Sequence, residues 1–239
     1  MEDSITVSSN VGGPSIAQER LLQAYPEHLT GIEGNELVWK DGTRMVWDDG
    51  KSGKAFEELE AKPDIEDMFA FEYPDSFEWE FVENQDPGRI RNEAFFRKMY
   101  GGTAQEVGKH LVHVDWFGHR IQVSKVNGVD AALLRVAKRL EAYPDLIEYL
   151  RPPGGGYNWR PIAGTDRLSA HSFGIAVDIC TQYSDYWRWS PEFSKGKPLV
   201  YKNRIPKLIV EAFEAEGFIW GGKWFHFDTM HFEYRPELL

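Results

Sequence analysis

Ser169-Ala170-His171-Ser172-Phe173-Gly174-Ile175-Ala176-Val177-Asp178-Ile179 changes character halfway along. From Gly174 onward it alternates, with Ile175, Val177 and Ile179 apolar and Gly174, Ala176 and Asp178 not. Strand side chains point to opposite faces in turn. The pattern therefore predicts a strand with its apolar set on a core and Asp178 on the other face, behind two very small residues. Small residues leave room above the sheet. A metal held by Asp178 and by His171, arriving from the preceding loop, would fill it.

A second cluster lies near the end of the chain, His226-Phe227-Asp228-Thr229-Met230-His231-Phe232-Glu233-Tyr234. It holds two histidines and two carboxylates, and His231 can supply a third ligand. Two His and one carboxylate with an open fourth position form a catalytic zinc arrangement. Zinc lowers the pKa of a bound water to roughly 7. A nearby carboxylate must then take the proton and pass it to a leaving amine. Asp228, three residues before His231, is the candidate. Glu233 shares the face of His231 and is placed to orient its ring from behind. His226 competes with His231 as ligand and is read as a cleft residue. His28, His110, His113 and His119 are read as ordinary hydrogen-bonded histidines.

Together, Ser-x-His-x-x-Gly-x-Ala-x-Asp over 169–178 and Asp-x-x-His-Phe-Glu over 228–233 resemble the peptidase M15 family. That family includes D-alanyl-D-alanine carboxypeptidases, D-Ala-D-Ala dipeptidases and L-alanyl-D-glutamate endopeptidases. It shares its metal-site fold with hedgehog domains and lysostaphin-type enzymes, and the VanY-like carboxypeptidase group is the nearest match. The likeness runs from about Asn158 to Glu233, with Trp220-Gly221-Gly222 between the motifs. It implies zinc on His171, Asp178 and His231, with Asp228 as general base. It also implies an arginine before the first ligand, here Arg160, that stabilises the oxyanion or holds substrate. Ser169 is implied as a hydrogen-bond partner of the substrate terminus.

The implied activity is hydrolysis of peptidoglycan stem peptides, with the D-alanyl-D-alanine carboxypeptidase first and the endopeptidase and dipeptidase as alternatives. A zinc-containing, non-catalytic binding domain is the alternative of another class. Arg167, Arg188, Arg89 and Arg91 are further candidates to receive substrate. The implied fold is α+β, hedgehog/DD-peptidase-like, with a small antiparallel sheet carrying the zinc site and helices beside it.

Working outward, Val129, Leu133, Val136, Ala137 and Leu140 share one face of a predicted helix over 129–142. Leu208, Ile209, Ala212 and Phe213 form the predicted buried stripe of a helix over 206–216. A final strand is expected from about Trp224 to Tyr234. Residues 111–115 and 120–123 flank Trp116-Phe117-Gly118-His119 and read as a hairpin. Asp41-Gly42 marks another hairpin within 36–47. A helix is expected over 90–100, a shorter one over 19–25, and irregular structure with short helices over 50–90. Residues 1–18 read as a flexible arm. The rest, 19–239, reads as one domain: a wrapping region over 19–105 and a catalytic core over 106–239.

The 239 residues are 42% hydrophobic and 14% aromatic, enough for a packed core. The net charge is −11 and no long basic run exists, so a nucleic-acid partner is not expected. An anionic ligand must be held by local arginines. Cys180 is the sole cysteine, which excludes an intramolecular disulfide and Cys-rich metal sites. It is read as a small hydrophobe in a strand. No apolar run is long enough for a transmembrane helix. The first 18 residues lack a signal-peptide pattern. A peptidoglycan substrate implies a periplasmic or extracellular location in a bacterium, and a cytosolic one stays open. A monomer is expected.

Overall fold

The structure is a computed structural model that describes residues 14–239. Most of the arm expected over 1–18 lies outside them. Its last residues are helical, because a capping box at Ser15 and Gln18 starts helix α1 (Ile16–Ala24) earlier than expected. Ser15 Oγ accepts from Gln18 N, and Ser15 N donates to Gln18 Oε1.

The chain folds as α+β, with small antiparallel sheets flanked by helices. The first sheet is β1 (Leu29–Glu33), β2 (Glu36–Trp39) and β3 (Arg44–Val46), in that order. The expected Asp41-Gly42 turn joins β2 to β3, and Asp41 Oδ1 accepts from Thr43 N at 2.9 Å. The acidic stretch that follows holds only α2 (Phe56–Ala61) and a 3-10 turn, Glu66–Phe69. Helix α3 (Glu93–Tyr100) is capped by Asn92 and buries Phe95, Phe96, Met99 and Tyr100. Phe96 and Tyr100 pack on Phe173, the end of the turn that carries His171.

After α4 (Ala104–Gly108) comes the expected hairpin, β4 (Leu111–Trp116) and β5 (His119–Ser124). Its tip is a two-residue turn with positive φ at Phe117 and Gly118, the handedness that matches strand twist. Helix α5 (Val129–Leu140) buries the expected face and Ala132 as well. The short helices α6 (Ile147–Leu150) and α7 (Pro191–Ser194) flank β6 (Ala176–Asp178) in sequence. Cys180 is buried just past β6, at the start of a 3-10 turn rather than in a strand.

Helix α8 (Lys207–Glu214) forms where expected, but its stripe is rotated. Ile209, Val210, Ala212 and Phe213 are buried, while Leu208 is 46% exposed. Neighbouring positions differ by about 100° around a helix, so turning Val210 onto the core leaves Leu208 outside. The Phe213 ring stacks on Phe232 at 3.8 Å.

The last sheet has the order β6-β8-β7, with β7 (Phe218–Trp220) and β8 (His231–Tyr234). The strand expected over 224–234 is thus only its final four residues. Gly221–Lys223 forms a 3-10 turn, and Asp228 N donates back to Gly221 O at 2.9 Å. That closure makes 224–230 a loop. Helix α8 packs on β7, and α5 lies against α8 and β4.

The core draws on both ends of the described chain. Leu21, Trp39 and Phe95 belong to one cluster with Leu133, Val177 and Phe232. Tyr25 Oη donates to Glu237 Oε2 at 2.6 Å. Among the described residues no helix is long and apolar enough to cross a membrane.

Candidate metal centre

His171 sits in a 3-10 turn, Ala170–Phe173, capped by the Ser169 hydroxyl. The turn ends at Gly174, whose φ is 69°. A Cβ there would also lie 2.9 Å from Ser124 N, which donates to Gly174 O at 2.8 Å. This corrects the sequence reading. The small side chain admits the backbone of β5, rather than leaving space over a metal. Asp178 ends β6 and pairs directly with His231, the first residue of β8. A local turn and one antiparallel register thus bring three donors together.

The three donor atoms form a nearly regular triangle. His171 Nε2 is 3.2 Å from Asp178 Oδ1 and 3.2 Å from His231 Nδ1, and the third side is 3.1 Å. A tetrahedral ion with ligands at ~2.0–2.1 Å would space them by roughly 3.3 Å. The donor set therefore fits zinc in both chemistry and spacing. Each ring is oriented through its other nitrogen. His171 Nδ1 lies 2.6 Å from Gly156 O, and His231 Nε2 lies 3.5 Å from Glu233 Oε2. A proton on those outer nitrogens leaves the inner lone pairs for a metal. Gly156 was not read from the sequence as part of the site. A side chain there would strike Gln122 O at 2.4 Å, so the Gly154-Gly155-Gly156 run lets this loop thread beside β5.

Electrostatics mark the same place. Burial opposes charge on Asp178, yet the two histidines outweigh it and hold its carboxyl well below the usual range. Burial also opposes a charged His231, but its hydrogen bonds to the Asp178 and Glu233 carboxylates push it up to about 10. The pair thus favours a positive charge between its members, which a metal ion would provide in place of the proton. Burial raises Asp228 to about 6, aided by the charge of Asp178. Asp228 Oδ1 is enclosed and has no hydrogen-bond partner. Burial works against Glu233 too, but Arg91, His231 and Arg235 lower it to about 2.

A cavity of about 310 Å³ opens over the triangle, with Asp228 in its lining. Arg160 and Ser169 line it, as do Arg89 and Arg91. Among the described residues Arg160 has no carboxylate partner, and Nη1 reaches only Pro161 O at 3.4 Å. Its backbone is tied to the His171 turn, since Arg160 N donates to Ser172 Oγ and Ser169 N to Arg160 O. Tyr186 and Trp189 form the aromatic side.

His226 does not line this cavity, which corrects its reading as a cleft residue. The 224–230 loop carries it onto the N-terminal region, where Nδ1 lies 2.8 Å from Asp86 Oδ2 and the ring stacks on Phe56. Arg167 pairs with Glu60, and Arg188 donates to Ala163 O above the Trp187 ring. Neither lines the cavity.

Fold and site together define an α+β protein with a candidate two-histidine, one-carboxylate metal centre at the base of a cleft. Residues 163–234 match the peptidase M15 family model described as D-alanyl-D-alanine carboxypeptidase. The match covers under a third of the chain and supports the peptidase M15 family, and with it a peptidase. It contains Ser169, His171, Asp178, Asp228, His231 and Glu233, whereas Arg89, Arg91 and Arg160 precede it.

Proposed function

We propose that this protein is a zinc-dependent peptidase that removes the terminal D-alanine from peptidoglycan stem peptides. One observation carries the reading. Three donor atoms spaced for a tetrahedral ion share a cavity with Asp228, whose enclosed Oδ1 lacks a partner. A zinc ion on His171, Asp178 and His231 would supply a Lewis acid and lower the pKa of its water to about 7.

The chain's own groups divide the remaining work. Asp228 takes a proton from the attacking water and returns it to the leaving amine. Before a metal is bound, burial raises its pKa, which favours holding the proton between the two halves of that task. The free guanidinium of Arg160 binds charge developing on the scissile carbonyl oxygen or the substrate carboxylate, where its planar fork suits either. Ser169 is the proposed hydrogen-bond partner of the substrate terminus. Glu233 holds the His231 ring from behind. A cell-wall substrate places the protein in the periplasm or outside the cell.

The test is digestion of defined muropeptides with and without a chelator, read by mass spectrometry. Loss of one D-Ala, abolished by chelation and restored by zinc, is the expected result. Release of a D-Ala-D-Ala dipeptide, or cleavage between L-Ala and D-Glu, would reassign the bond. No cleavage of any muropeptide by zinc-loaded protein would leave a binding domain.

A further inference from the structure

Residues 85–91 lie outside the matched segment yet contact the 224–226 loop and the strand that carries His231. Phe225 N donates to Gln85 O at 3.0 Å, and Trp224 Nε1 to Pro87 O at 2.7 Å. The Asp86 carboxylate takes the His226 backbone N–H at 2.9 Å. Past β8's ligand residue, Arg235 Nη1 donates to Gly88 O at 2.6 Å. The last residue of this strap, Arg91, is buried and donates through Nη1 to Glu233 Oε2 at 3.0 Å. That same oxygen lies 3.5 Å from His231 Nε2. The other oxygen, Oε1, accepts from Arg235 Nη1 at 3.2 Å.

We propose that Arg91 is a positioning residue for the metal centre, acting through Glu233 to fix the His231 ring. The inference rests on the zinc reading above. Glu233 is fully buried, and without Arg91 its Oε2 would lose its charged partner, leaving Arg235 on Oε1 to hold the carboxylate alone. Arg91 and Arg235 grip its two oxygens from different directions. The carboxylate then stands still, receives the Nε2 proton of His231, and leaves Nδ1 turned toward Asp178 and His171. Arg91 thereby gives the N-terminal region a part in metal binding. Outer partners of this kind typically contribute roughly 10–100-fold in metal affinity.

The experiment measures zinc affinity of the full-length protein by chelator competition near neutral pH. Arg91→Met is expected to bind zinc roughly tenfold or more weakly, in line with that range. Arg91→Lys keeps the charge but not the fork, and is expected to fall between Met and wild type. Arg167→Met removes another ion pair between the two regions, Arg167–Glu60 at 2.6 Å, without touching Glu233, and is expected to bind zinc as wild type does. Wild-type affinity in Arg91→Met, or an equal loss in Arg167→Met, would overturn the inference while leaving the zinc reading intact. A wild type that holds no zinc removes both. If Arg91→Met does not fold, the cobalt-substituted Arg91→Lys protein decides. Its visible absorption is expected to shift as the His231 ring turns, and an unchanged spectrum with unchanged affinity counts against Arg91.

Discussion

The segment matched to the family and the region before residue 106 contribute to the same cavity in different ways. The first carries the three donor atoms and Asp228, brought together by one short turn and one strand pairing. The second carries no donor of that triangle. It supplies two arginines to the lining, the strap behind the 224–226 loop, and α3 beneath the His171 turn. Donor placement thus rests on a turn and a strand register within the matched segment, the register joining residues 53 positions apart. Arg89 and Arg91 bring charge from distant chain to a cleft whose aromatic side, Tyr186 and Trp189, belongs to the matched segment.

The strongest test of this division acts on the triangle itself. His171→Ala and Asp178→Ala are each expected to abolish zinc retention, read as metal content after gel filtration. Full occupancy in both would sink the ligand assignment. Asp228→Ala is expected to keep zinc and lose at least ~100-fold in turnover, the lower end for general acid–base catalysis. Wild-type rates would remove Asp228 from the mechanism.

The same residue sets an acid limb. Its folded pKa, about 6 before a metal is bound, lies above the ordinary carboxylate value, so the base form is lost as pH falls through that region. A bound cation stabilises the carboxylate and moves the limb downward. The kcat/KM profile is therefore expected to decline on the acid side at or below about pH 6, and the Asp228 variant should lack that limb.

A smaller effect is expected at Trp189, which is 60% exposed and braced edge-on by Tyr186 at 5.5 Å. Trp189→Ala should raise KM roughly two- to tenfold with kcat little changed, as for the loss of one aromatic contact. A fall in kcat alone would mean that this wall also shapes the reacting geometry. The weakest effect on the metal is expected from Leu21→Ala in α1, which is fully buried. It should lower stability by about 2–5 kcal/mol and leave zinc affinity unchanged. Weakened zinc binding there would show that the N-terminal region acts on the site by packing in general rather than through Arg91.

The two regions were also unequally legible. The apolar alternation around Asp178 announced its strand, and the helix faces over 129–140 followed from periodicity. Where periodicity was the only guide it blurred. It placed Leu208 inside α8, because a stripe read from four residues does not say which edge meets the core. It extended the last strand back to Trp224, because the closure of Asp228 N on Gly221 O has no apolar signature. His226 was drawn toward the cleft by its neighbours in sequence, whereas Asp86, 140 residues earlier, holds it elsewhere.

By itself, then, the sequence determined the parts that depend on neighbours along the chain: the spacing of donors within each motif, the strand carrying Asp178 and the amphipathic helices, and its single cysteine excluded Cys-rich metal sites. Only the tertiary structure decided that Gly156 O orients His171, that Gly174 yields space to β5, and that Arg89 and Arg91 reach the cavity while Arg167 does not. These are contacts between segments far apart in the chain. Their existence depends on how whole elements pack, and no local pattern of residue types encodes that.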